Sequence, residues 1–158
     1  MTQRVKPPAL DPAAVPGQVG SGYPEPFDEP CSTRERRVLG DPLGLTQFGV
    51  NLLVLPPGAW SSQRHWHLEE DEFVYVLEGE VVLVTDAGEQ VLKPGMAAGF
   101  PAGRRDGHHL VNRGDRTARL IEVGTRSPTE HAEYSDIDMK GWAVEGVFRF
   151  FHKNGEPY

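Results

Sequence analysis

His65 and His67 stand two apart inside the stretch GAWSSQRHWHLEEDEFVYVLEG, residues 58–79, with an acid at Glu72 and a glycine at either end. Alternate residues of a strand point to one face, so both imidazoles can aim at a common point while Trp66 faces away. Two imidazoles and a carboxylate make a borderline-to-hard donor set, which suits Mn, Fe, Co, Ni, Cu or Zn better than Ca or Mg. Glu72 is chosen over Glu69, Glu70 and Asp71 because the strand-like run EFVYVLEG starts with it. A lone histidine in a β protein is ordinarily just a satisfied polar residue, whereas a His-x-His followed by this acid is a convergent set. The same alternation, carried backwards, puts Ser61 and Gln63 on the inner face and makes Gln63 the candidate substrate contact. Carried forwards from Glu72, it puts Val74 and Val76 inside. Arg64, Trp66, Phe73 and Tyr75 then point outward, where an aromatic surface suits an interface between two copies of the chain.

Short strands must position these groups. The chain has 158 residues, one domain's worth, with 18 glycines and 14 prolines that punctuate short runs of Val, Leu and Phe. From Leu45 to Thr125 the chain reads as about eight strands, among them TQFGVNLLVL, EFVYVLEG, EVVLVT, EQVLK and ARLIEVGT, each closed by Gly or Pro. This predicts an all-β barrel or sandwich, residues 37–126, since the helices of a parallel α/β sheet are missing.

Residues 1–36 open with PPAL, DPAAVPG and YPEPFDEP and are expected to be an extended proline-rich arm, pinned to the outside of the barrel or to a neighbouring subunit by Tyr23 and Phe27. Arg34, Arg36 and Arg37 read as a solvated face or intersubunit ion pairs. Residues 127–158 form an extension on the barrel, in which TEHAEYSDIDMKGW suggests a helical turn or two and VFRFF a further strand. His131 and His152 have no partner at ligand spacing and are expected on the surface.

The net charge of -7 argues against nucleic acid as a partner, because a phosphate backbone needs a basic face. A single cysteine, Cys31, rules out an internal disulfide. No apolar run approaches the ~18 residues of a membrane span, and the N-terminus lacks the apolar core of a signal peptide. The expectation is therefore a cytoplasmic protein with a small-molecule ligand and no membrane partner.

The spacing of these residues resembles that of the cupin superfamily. Its first motif is matched by Gly58, six residues, His65-Trp66-His67, four residues, Glu72, six residues and Gly79, with one residue more than the family pattern in the first gap. Its second motif is matched by Gly95, Pro101, Gly103, His108 and Asn112, with two residues more than the pattern before His108. FGVNL at 48–52, GHHLVNR at 107–113, Asp136-Ile137-Asp138 and the closing Gly155-Glu156-Pro157-Tyr158 further resemble a group of small bacterial single-domain cupins labelled sugar-phosphate-isomerase-like.

The resemblance implies a double-stranded β-helix, or jelly-roll, a homodimer, and one divalent transition metal (Fe, Mn, Zn or Ni) held by His65, His67, Glu72 and a histidine of the second motif. Counting back from Asn112 selects His108; absorption of the two extra residues by a longer loop or by a bulge would select His109 instead. Such an open metal serves an isomerase acting on a sugar or sugar phosphate, or an Fe(II) dioxygenase. A cupin that binds or senses a small ligand without turning it over is the alternative.

Overall fold

The computed structural model describes residues 6–158, so the part of the proline-rich segment before Lys6 lies outside the described residues. Thirteen strands follow in chain order: β1 (Gln18–Val19), β2 (Glu35–Val38), β3 (Phe48–Leu55), β4 (His65–His67), β5 (Glu72–Glu78), β6 (Val81–Thr85), β7 (Gly88–Leu92), β8 (Ala97–Phe100), β9 (His109–Val111), β10 (Ala118–Thr125), β11 (His131–Tyr134), β12 (Lys140–Val144) and β13 (Val147–Phe151). Eight of them, β3 to β10, occupy the stretch read from the sequence as continuous strand and turn.

All pairings are antiparallel. One layer has the order β1-β2-β3-β10-β5-β8. The other consists of β7-β6-β9 and β13-β12-β11-β4, joined where Trp60 bridges Val111 and His65 bridges His108. The two layers close on an apolar core that includes Leu53, Leu55, Val74, Val76, Val81, Leu83, Leu110 and Leu120. This is a jelly-roll, in which the chain crosses repeatedly from one layer to the other so that each sheet covers the apolar face of its partner. Strand alternation decides the details: in β5, Val74 and Val76 are buried while Phe73 and Tyr75 are exposed, as period-two patterning requires.

Gly79 turns the chain from β5 into β6 with φ at +71°, and a Cβ there would lie 2.8 Å from the Ala118 Cα. The glycine is thus needed both for its left-handed backbone and for the close approach of β10.

Two expectations change at the ends of the chain. The proline-rich segment is not simply extended: it contains 3-10 turns at Pro12–Ala14 and Glu29–Cys31, and β1 pairs with β2. Tyr23 lies edge-on to Tyr134 at 5.6 Å and 5.2 Å from Phe150, within the chain's own C-terminal sheet. The helical turn expected within TEHAEYSDIDMKGW is absent, because His131–Tyr134 instead takes up the free edge of β4, with Ala132 opposite His67 and Tyr134 opposite His65. VFRFF does form a strand, β13, on the far side of β12. His131 is exposed and His152 is bonded to Asp138 at 2.9 Å. No helix among the described residues is long and apolar enough to cross a membrane.

Candidate metal centre

β4 is three residues long, and its brevity matters: it carries His65 and His67 on one face between β11 and the chain leading into β9. His65 and His108 lie opposite one another, with the His108 N–H donating to the His65 carbonyl at 2.8 Å and the His65 N–H donating back at 3.2 Å. Residues directly opposite in an antiparallel pair project to the same side, so this bridge aligns the two rings. Glu72 reaches the same point from the first strand position of β5, in the other layer.

The side-chain distances are short. His65 Nε2 is 3.0 Å from His67 Nε2, His67 Nε2 is 3.5 Å from Glu72 Oε2, and His108 Nε2 is 2.8 Å from the same carboxylate oxygen. Metal–ligand bonds of about 2.1 Å at right angles would set neighbouring donor atoms about 3.0 Å apart. His65, His67 and Glu72 therefore form a group that could hold a metal ion, with all three donor atoms within 4.8 Å of one another.

The tautomers suit that use. The His65 Nδ1–H donates to the Gln63 carbonyl at 2.8 Å, leaving Nε2 with its lone pair facing the cluster. Burial among other imidazoles keeps His65 neutral, with its pKa pushed down to about 3. His67 behaves oppositely. Burial opposes its charge, but hydrogen bonds to the Glu130 and Glu72 carboxylates outweigh that and raise its pKa to about 10. Glu72 is likewise disfavoured as a carboxylate by burial, yet the bonds from His108 and His67 hold it well below the usual range.

The adjacent histidines of the second motif separate cleanly. His108 stacks on Phe100 with ring centroids 3.6 Å apart and meets Glu72. His109 turns aside: its Nδ1 is 3.0 Å from the Ser62 carbonyl and its ring lies edge-on to Trp60 at 4.6 Å. The two extra residues before His108 are taken up in the Pro101–Gly107 loop, which is tied down by Gly103 N–H to the His67 carbonyl at 2.8 Å and by Asp86 N–H to Asp106 at 2.8 Å. A loop absorbs the insertion, and His108 still meets Glu72.

Gln63 is the residue the structure moves. Its amide donates to the Phe27 carbonyl at 2.7 Å, and it does not line the cavity at the cluster. The alternation argument failed there because β4 begins only at His65, so residues 61–64 need not follow strand parity. The backbone carbonyl of Gln63, not its side chain, serves the site.

Three charged residues that strand reading undervalued belong to the site. Glu130 is buried and accepts from His67 Nδ1 at 3.2 Å, Leu68 N–H at 3.0 Å and Glu69 N–H at 2.9 Å. A carboxylate on the far nitrogen of a histidine fixes the ring's orientation and raises its basicity. Arg34 and Arg36, expected in solvent or between subunits, instead face a cavity of about 180 Å³ that the cluster also lines. Arg36 forms a two-pronged pair with Glu122, at 2.9 and 3.2 Å, by reaching diagonally across β3. Their inward direction was available in principle, since Arg36 and Glu122 sit opposite or two along from the buried Leu53 and Leu120.

A second cavity, of about 250 Å³, opens beyond His67, Phe100 and His108 and is bordered by Thr85, Gln90 and Arg104. His67, Phe100 and His108 line both cavities and so form the partition between them.

Comparisons with known proteins agree with this architecture. The cupin domain profile matches residues 51–124. None of the curated proteins compared with the chain matches it. Among solved structures, a sugar phosphate isomerase from a cupin superfamily of Silicibacter pomeroyi is 49% identical over 96% of each chain, with a TM-score of 0.92. A putative sugar phosphate isomerase from Acidithiobacillus ferrooxidans is 27% identical over 80% of each chain, with a TM-score of 0.72. The polyketide cyclase RemF from Streptomyces resistomycificus is 25% identical over 87% of each chain, with a TM-score of 0.65. A jelly-roll whose two histidine-bearing stretches meet at one bridge, and which is 49% identical to the first of these relatives over 96% of each chain, places the chain in the cupin superfamily.

Proposed function

We propose that the protein is a metal-dependent enzyme acting on a small, oxygen-rich, anionic metabolite, of the sugar-phosphate-isomerase type. The observation that carries this reading is the convergence of His65, His67 and Glu72 at separations expected of ligands on one ion, with His108 on the same Glu72 carboxylate, on the wall of a cavity that also holds Arg34 and Arg36. The Silicibacter pomeroyi relative, described as a sugar phosphate isomerase, supports it.

His65, His67, Glu72 and His108 hold the ion, and Fe, Mn, Zn and Ni all suit this donor set. A divalent ion bound there supplies Lewis acidity to a carbonyl or hydroxyl oxygen of the substrate. The chain supplies the rest. Glu122 is the cavity carboxylate not engaged by the histidines, and Arg36 grips both its oxygens, so its direction is fixed. In an isomerisation it accepts a proton from the carbon beside the carbonyl and returns it to the neighbouring carbon, a role in which a positioned carboxylate contributes about 10²–10⁴-fold. Phe100 and the apolar Val74 side chain narrow the cavity and limit the water that competes for that proton.

The test is exchange with solvent. Metal-loaded protein, incubated in deuterated water with a panel of aldose and ketose phosphates, should place deuterium beside the carbonyl, and Glu122→Gln should lose this while keeping its metal. Substrate-dependent oxygen uptake by the iron form would assign the dioxygenase reaction instead. Tight binding with neither exchange nor uptake would make the protein a binding cupin.

A further inference from the structure

Arg34 is only 7% exposed, yet among the described residues it has no carboxylate partner. Its Nε donates to the Gly20 carbonyl at 3.1 Å and its Nη1 to the Ser61 carbonyl, both neutral acceptors. The other charged groups of the cavity are already matched: Glu122 with Arg36, and Glu72 with His108 and His67. Burial depresses the Arg34 pKa, which reports the same lack of compensation, though a guanidinium remains charged. A buried cation without a counter-ion is costly to the fold. Its persistence inside a cavity calls for an anion that comes and goes.

We propose that Arg34, on a cavity wall it shares with Ser62 and Tyr23, is the subsite for the oxyanion end of the ligand, either a phosphoryl group or a carboxylate. The proposal deepens the functional reading above and rests on it for the ligand's other end. Guanidinium forks bind such groups through paired N–H donors, and Nη2 of Arg34 carries no hydrogen bond among the described residues.

The dimensions define the ligand further. A cavity of 150 Å³ admits benzene, so about 180 Å³ holds on the order of seven heavy atoms. An oxyanion on Arg34 together with two or three carbons fills that space. A longer sugar chain must then extend past the Phe100–His108 pair into the outer cavity, among Thr85, Gln90 and Arg104. The anion is therefore bound in the cavity that Arg34 lines, and Arg104, which lines the other cavity, is not its site.

Binding of inorganic phosphate to chelator-stripped protein tests the subsite without reference to the metal. Calorimetric titration should give about one phosphate per chain, weakened at least tenfold in Arg34→Gln and unchanged in Arg104→Gln. Competition with acetate then distinguishes the sources: displacement of phosphate at equal concentration assigns a carboxylate, and no displacement assigns a phosphoryl group. Arg34→Gln removes a buried bond to the Ser61 carbonyl, so a crystal of the wild-type protein soaked in tungstate provides the second measurement. Density within hydrogen-bonding distance of Arg34 is expected. Phosphate affinity unaltered in folded Arg34→Gln, or tungstate bound at Arg104 but not at Arg34, would overturn the assignment. An Arg34→Gln protein that takes up its metal normally but not phosphate separates this subsite from the metal reading; loss of metal binding in the wild type would leave the phosphate result standing by itself.

Discussion

Replacing Glu130 by Gln removes one charge and little volume, and the structure sets the size of the effect. Glu130 holds three donors at once: His67 Nδ1 at 3.2 Å and the N–H groups of Leu68 and Glu69 at 3.0 and 2.9 Å. A glutamine keeps a single carbonyl oxygen, so at least one of these donors meets an amide nitrogen instead. Leaving one buried donor unsatisfied costs about 1–3 kcal/mol. In a chain of this length each kcal/mol lowers Tm by about 2–4 °C. The effect on metal is separate. Loss of the carboxylate behind a ligating histidine weakens metal binding about 10–100-fold, or roughly 1.4–2.8 kcal/mol.

Competition with a chelator of known affinity, run beside a thermal melt, reads both quantities. Both are expected to fall in Glu130→Gln. A variant with lowered Tm and unaltered metal affinity would show that Glu130 only ties down the loop after β4 and has no hold on the His67 ring.

Gly79→Ala should destabilise the fold by more than about 2 kcal/mol, since it combines a left-handed backbone at φ +71° with a Cβ 2.8 Å from the Ala118 Cα, and denaturant melts would measure it. Alkaline stability follows from Cys31 and Tyr23, whose pKa values are raised chiefly by burial from 9.0 and 10.0. Groups with raised folded pKa values contribute stability that is complete below their unfolded values and is lost as pH climbs towards the folded ones, so Tm should decline as pH rises above about 9, with little response to salt. A flat Tm from pH 8 to 11 would contradict this. For the same reason the Cys31 thiol, fully buried, should resist alkylation at neutral pH until the protein unfolds, which mass spectrometry after a short iodoacetamide pulse would detect.

The strand pattern carried the jelly-roll because period-two burial is a local property: the alternation of Phe73, Val74, Tyr75 and Val76 is visible without knowing any partner strand. The two histidines of β4 and Glu72 were legible for the same reason, being fixed by spacing along one stretch. The choice between His108 and His109 was not, since it depends on how a loop of extra residues is absorbed; the structure sets His108 opposite His65 and turns His109 to the Ser62 carbonyl. Gln63 was misplaced by extending strand parity into a segment that is not strand. Arg34 and Arg36 were read as a solvated face or intersubunit ion pairs because charged residues usually are exposed; only the fold reveals that Arg36 of β2, and Arg34 just before it, face a cavity. Glu130, 63 positions from His67, could not be linked to it by spacing at all. It reaches the site because β11 takes the edge of β4, a long-range pairing that no local pattern records.

The central claim is that His65, His67, Glu72 and His108 hold one metal ion. Elemental analysis of protein reconstituted with Mn, Fe, Zn or Ni and then freed of unbound ion tests it most directly. The account predicts one ion per chain in the wild type and in His109→Ala, and a loss of at least tenfold in occupancy or affinity in His67→Ala and His108→Ala. Full occupancy in folded His67→Ala would contradict it.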